Sequence, residues 1–380
     1  MKPEIDRASP HKNTICVHEN NESKASCWRL IADAGNMDED HAPPLVTVII
    51  TAHNYAKYVH QCIQSVRAQS YSHFECIIVD DASTDNTKAV AQSTIAQWAN
   101  HDRRFSLIST DNNLGQLGAQ SFAFARSKGQ FIVFLDADDL LKPRFLEYHL
   151  FAHLNLAMPV GFTTSDQWTI EADGTVISFH HPDLIAGTLC GAGQKVSISS
   201  DERMFNVLAF PRREPESLFR AWWWGTQSTM MFRRGILEFV LPEAADAASF
   251  RVCADSYIVH FALLLGGAAI LPRPLGSYRR HGNNNFCSHL LLAEDIPVGD
   301  MRRHPSEHAF YSLAWRILNQ RNEHFIGALG ERRYSHLVAE FRKKLKTSGY
   351  SDPMAKAAKM KLRNLRVRNF IRSLAASRHA

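Results

Sequence analysis

Apolar runs separated by turn residues divide the segment from 45 to 140 into a regular series. Residues 45–51 form a largely apolar stretch rich in β-branched side chains, which predicts a buried strand. Val59, Cys62, Ile63 and Val66 then recur at i, i+3, i+4 and i+7, the signature of a helix with one buried face. Residues 74–79 predict a second strand, apolar except for Glu75, and 87–99 a helix burying Ala91, Ile95 and Trp98. A third strand over 105–109, a helix over 116–127 and a fourth strand over 130–135 continue the alternation. Strand and helix in strict succession predict an α/β fold whose parallel sheet is covered on both faces.

Further along, apolar runs on either side of Asp173-Gly174 predict a hairpin over 168–179. A strand is expected over 227–232 and a helix from 254 to about 265, with Asp255 in its first turn where the helix dipole favours a carboxylate. Phe310, Leu313, Ala314 and Ile317 make a helical stripe, and a last helix is expected over 354–375. Residues 1–44 are polar and read as a poorly ordered leader with a short helix at 28–34. No internal repeat is visible.

Two predicted strands end in acids. The run at 131–135 stops in Asp136, Asp138 and Asp139, and the run at 74–79 stops in Asp80 and Asp81. In an open parallel sheet ligands bind beyond the carboxyl ends of the strands, so these ends nominate one crevice. Isolated aspartates there usually cap turns. Three carboxylates within four positions repel one another, and a divalent cation held by oxygen ligands would neutralise them.

Composition narrows the classes. The chain has 380 residues, 45% of them hydrophobic, enough for one large domain with extensions or for two domains. No apolar stretch is long enough to span a bilayer and no secretory signal is visible. Seven dispersed cysteines, never spaced C-x-x-C, suit free thiols in a reducing cytoplasm. The net charge of +5 is uneven: residues 301–380 hold 18 Lys and Arg against 5 acids, a net of +13, which leaves the first 300 at −8. Such a basic tail suits an anionic membrane surface, nucleic acid or a solvated helical face. The absence of G-x-G-x-x-G after any strand argues against a dinucleotide-binding dehydrogenase, and the loop from Thr51 to Tyr55 lacks the Gly-rich basic character of a nucleotidyltransferase.

Five ordered motifs resemble the family 2 glycosyltransferases: Val48 to Asn54, Gln69-Ser70-Tyr71, Val79 to Asp85, Asn113-Leu114-Gly115 and Leu135 to Asp139. The similarity continues more weakly through Ala254-Asp255 and Tyr278 to His281. The resemblance implies a GT-A fold, a mixed, mostly parallel sheet covered by helices, over 45–300. Its donor nucleotide-binding half would be 45–150 and its acceptor and catalytic half 151–300, followed by a helical basic extension at 301–380.

Carried across position by position, Thr51 and Asp81 would meet the base, Asn54 would support that loop, and Ala52, Gly115, Ala137, Asp139 and Arg279 would complete the nucleotide-sugar site. Asp136 would face the ribose, Asp138 and His281 would hold Mn2+ or Mg2+, and Asp255 would be the general base of an inverting transfer. Trp222, Trp223 and Trp224 are candidate acceptor contacts, since aromatic faces stack on sugar rings. The implied activity moves a sugar from a nucleoside diphosphate donor, UDP being commonest, to a saccharide or lipid-linked acceptor in polysaccharide synthesis. The basic tail would bring the protein to the inner face of the cell membrane. No nucleic-acid partner is expected, and a catalytically silent nucleotide-sugar-binding scaffold is the alternative. The sequence departs from the family pattern at His53, Ala254 and Gln120-Ser121.

Overall fold

The computed structural model describes residues 42–98, 101–179, 194–200, 203–210, 212–215, 224–247, 250–251, 253–282, 284 and 306–347. The leader at 1–41, its expected short helix, and the helix expected over 354–375 lie outside the described residues.

The predicted alternation is present: β1 (Val46–Ala52), α1 (Val59–Arg67), β2 (Phe74–Asp80), α2 (Thr87–Ala96), β3 (Phe105–Ser109), α3 (Gly115–Phe124) and β4 (Phe131–Asp136). Then come β5 (Leu140–Leu141), α4 (Phe145–Asn155), β6 (Phe162–Ile170), β7 (Val176–Ser178), β8 (Gln194–Ser200) and β9 (Arg203–Phe210). The strand expected at 227–232 is a 3-10 turn, Gln227–Thr229, leading into β10 (Met230–Arg233). The remainder is α5 (Arg234–Val240), α6 (Ala244–Ala247), α7 (Ala254–Leu265), β11 (Ala268–Arg279), α8 (Ser306–Gln320), α9 (Asn322–Leu329) and α10 (Glu331–Thr347).

The strands form one mixed sheet in the order β3-β2-β1-β4-β10-β6-β11-β9-β8, with β5 on β11 and β7 on β6. The β3-β2-β1-β4 part is wholly parallel. β10 runs antiparallel to β4 and β6, whereas β11 and β6 are parallel. The fold class is therefore the mixed α/β arrangement that the resemblance implied.

Because side chains alternate across a strand, β1 and β4 feed two cores. Val48, Ile50, Phe131, Val133 and Leu135 pack with α1, α2 and α4 on one face. Ile49, Ile132 and Phe134 pack with α3, α5 and α7 on the other. The described part of the basic extension is not peripheral to this second core. Phe325 and Phe341 of α9 and α10 lie against Phe261 of α7, and Phe310 of α8 against Tyr257. Among the described residues no helix is long and apolar enough to cross a membrane.

Candidate active site

The parallel strands end together. Thr51 of β1 is in register with Val79 of β2 and with Asp136 of β4, so the loops after these strands open on one edge of the sheet. Thr51, Ala52 and Ala137 are themselves buried there.

The loop after β1 is held by Asn54, whose left-handed backbone (φ 65°) is one that asparagine tolerates. Its side-chain oxygen accepts from the Thr84 amide at 2.8 Å and the Asp85 amide at 3.3 Å, and its own amide donates to Ser83 Oγ at 3.0 Å. Asp85 in turn caps α2, accepting from the Thr87 amide at 2.8 Å. The loops after β1 and β2 are thereby joined. Asp81 is buried and clasps the loop after β3: Oδ1 accepts from Thr110 Oγ1 and the Leu114 amide, both at 2.8 Å, and Oδ2 from the Gly115 amide at 2.9 Å. Gly115 has φ 73°, and a Cβ there would meet Arg251 Cα at 2.8 Å, so only glycine fits.

The acids after β4 separate into three environments. Asp139 is the most buried; it accepts from the Arg279 amide at 2.9 Å and so ties the turn to the end of β11. Burial, then the charges of Asp138 and Asp136, pushes its carboxyl well above the usual range. Asp136 is pushed up to about 7 by burial, then by the charge of Asp138 and, less, of Asp255, against a lowering hydrogen bond from Gln116. Asp138 faces His281, whose Nε2 donates to its Oδ2 at 2.8 Å. The His281 ring is stacked on Tyr58 at 5.0 Å and lies edge-on to Tyr55 at 6.0 Å.

Across the edge stands α7. Asp255 is in its first turn, accepts from the Ser256 amide at 2.7 Å, and is pushed up to about 6 by burial. A carboxyl with that value is still ionised at neutral pH and has gained basicity, as a proton acceptor requires.

Two expectations are corrected. Arg279, expected in the nucleotide-sugar site, does not present its guanidinium to a ligand. It is 1% exposed and spends its donors on protein: Nε on the Asp138 carbonyl at 2.8 Å, one terminal nitrogen on the Ala172 carbonyl at 3.0 Å, the other on Gln61 Oε1 at 2.7 Å. Its place at the end of the long strand β11, beneath the turn after β6, makes it an internal brace for the acidic turn. Trp224 is not on an acceptor surface: it is 1% exposed and packs edge-on against Phe162 and Phe210. Trp222 and Trp223 lie outside the described residues.

Sequence reasoning passed over Gln116, Tyr58 and Ser228. Gln116 follows directly on the Asn113-Leu114-Gly115 motif, and that position was the available signal. Ser228 Oγ, in the 3-10 turn, accepts from the Asp136 amide at 3.2 Å.

A model described as "Glycosyl transferase family 2" matches residues 47–167, from β1 through most of β6. Over 246 residues the chain is 33% identical to an uncharacterized glycosyltransferase of Nostoc sp., an alignment covering 64% of this chain and 67% of that protein. The chain belongs to glycosyltransferase family 2. This glycosyltransferase is also 36% identical over 144 residues to TuaG of Bacillus subtilis, a protein named for teichuronic acid biosynthesis. That match covers 37% of this chain and 55% of TuaG, so the glycosyltransferase spans about half the length of this second relative. Among solved structures, S. aureus TarS 1–349 in complex with UDP-GlcNAc superposes with a TM-score of 0.47 at 16% identity, covering 79% of this chain and 72% of that one.

Proposed function

We propose that this glycosyltransferase transfers a sugar, with inversion, from a nucleoside diphosphate donor to a hydroxyl of a saccharide or lipid-linked saccharide. The observation that supports the reading is the meeting of the acidic end of β4 with the start of α7, where Gln116 hydrogen-bonds both Asp136 and the Ala254 amide next to Asp255. Asp255 takes the proton from the acceptor hydroxyl as it attacks on the face opposite the leaving diphosphate. Asp136 faces the ribose, and Thr51 and Ala52 meet the base at the end of β1. Asp81 lines the same site and holds the loop after β3, and Asp139 and Arg279 hold the acidic turn in place.

A divalent cation fits the donor set. Asp138 and His281 supply one carboxylate oxygen and one imidazole nitrogen, and among the described residues no group of three or more His, Cys, Asp or Glu could enclose an ion. A small hard cation is commonly held this way, by one or two protein groups with substrate phosphates and water completing its shell. Held by Asp138 and His281, Mn2+ or Mg2+ would offset the charge gathering on the diphosphate.

The name of the Bacillus relative directs the acceptor toward cell-surface saccharides, and the basic tail supports contact with an anionic membrane at the cytoplasmic face. The test is incubation with a panel of nucleoside diphosphate sugars and manganese, with and without cell-surface saccharide acceptors, measuring released nucleoside diphosphate. Release from one donor, raised by an acceptor, is expected. Tight nucleotide binding without turnover of any donor would instead support the silent scaffold.

A further inference from the structure

We propose that Gln116 is a positioning residue that sets the distance between the donor-side carboxylate Asp136 and the helix carrying Asp255. Its amide group works in both directions. Nε2 donates to Asp136 Oδ1 at 2.9 Å, and Oε1 accepts from the Ala254 amide at 3.2 Å, the residue immediately before Asp255. A helix N-terminus leaves its first amides without intrahelical partners, and Cys253, the residue at the cap, makes no side-chain capping bond. Gln116 supplies that bond from a different element.

The bridge is itself anchored. The Gln116 backbone amide donates to the Arg251 carbonyl at 3.1 Å, and the two preceding amides are fixed on the Asp81 carboxylate. The side chain therefore starts from a held point on α3 and reaches β4 and α7 at once.

The chemistry selects an amide here. The Asp136 carboxylate and the first amide of α7 meet at this one side chain. A neutral group with a donor for one and an acceptor for the other holds them without adding charge. A glutamate would keep the acceptor for Ala254, lose the donor for Asp136 and bring a third carboxylate. A lysine would lose the acceptor.

The inference rests on Asp255 as the base, and its test separates the two. Gln116→Met keeps the length and removes both bonds. Gln116→Glu keeps only the bond to Ala254. In both variants kcat is expected to fall about 100-fold, the cost of displacing a reacting group by about 1 Å. Donor KM and UDP affinity are expected to stay near the wild-type values. Wild-type kcat in Gln116→Glu would overturn the proposal, because a helix cap alone would then suffice. An equal loss of UDP affinity and kcat would overturn it too, by making Gln116 a donor contact. Asp255→Asn is measured alongside. If that variant is inactive while Gln116→Met is not impaired, only the role of Gln116 fails; if it transfers normally, the assignment of the base fails and this inference with it.

Discussion

His281 Nε2 lies 2.8 Å from Asp138 Oδ2, and the two side chains are 4% and 7% exposed. The acid proposed to hold the cation is thus paired with an imidazole from just past the end of β11. Asp138 and His281 would hold a cation through one carboxylate oxygen and one imidazole nitrogen. Asp138→Ala is expected to abolish manganese-dependent UDP binding in calorimetry. His281→Gln is expected to weaken it about 10- to 100-fold, the range seen when a group orienting or completing a metal site is lost. Unchanged binding in Asp138→Ala would remove both residues from the metal site.

Asp255 should carry opposite signs for activity and stability. Transfer requires the ionised form, so kcat/KM is expected to rise with pH through about 6 and then level off. Folding favours the protonated form. The folded-state value exceeds the ordinary 3.8, so the native protein holds the extra proton and stability falls as pH rises from about 3.8 to about 6. A neutral Asp255→Asn is therefore expected to abolish transfer while raising stability at pH 7 by about 1–3 kcal/mol. Thermal melts and rate measurements on one preparation check both. A variant that loses activity and melts lower would mean that Asp255 serves chiefly as a structural acid.

The donor half was legible because each of its elements repeats one simple pattern. β1, β2 and β4 are buried along nearly their whole length, β2 and β4 stop in acids, and α1 shows its buried stripe at Val59, Cys62, Ile63 and Val66. The helix carrying Asp255 was expected from 254 to about 265 and spans Ala254–Leu265. α4 was not foreseen, and its sequence explains why: Tyr148, His149 and His153 are buried along with Phe145, Leu146 and Leu150, so no polar face marks the period. The two corrected residues share another cause. Arg279 reads as a surface cation and Trp224 as a sugar platform because sequence gives residue type but not the layer in which a strand or turn comes to rest. Gln116 escaped because a bridging amide has no spacing signature.

The buried histidines of α4 predict acid sensitivity. His149 Nδ1 is 2.7 Å from Thr163 Oγ1, and His153 Nε2 donates to the Met231 carbonyl at 3.1 Å. Burial lowers both, His153 to about 3, so each is neutral in the fold but takes a proton in the unfolded chain near 6.5. Stability is complete above that pH and falls as pH drops toward 3, His153 alone costing about 2 kcal/mol by pH 5. Urea melts between pH 7 and 5 should show the loss, and a His153→Met variant should show a smaller one. An identical pH dependence in the variant would place the acid sensitivity elsewhere.

The extension from 301 divides into a part required for folding and a part open to a membrane role. Phe341 is buried and stacks on Phe261 of α7 at 6.0 Å, while α10 packs into the core shared with the helix that carries Asp255. Phe341→Ala is expected to cost about 3–5 kcal/mol, and loss of 306–347 should prevent folding. Residues 351–380 carry eight Lys and Arg against one acid. Each basic side chain near an anionic leaflet contributes about 1 kcal/mol, an attraction that salt screens. Truncation after 350 should therefore leave the melting temperature and transfer to a water-soluble acceptor near wild type. It should also reduce co-sedimentation with phosphatidylserine-containing vesicles at low salt, and the full chain should lose the same binding as salt is raised. Vesicle binding that survives truncation would move the membrane contact to another surface, and a collapse of the melting temperature would show that the last residues serve the fold.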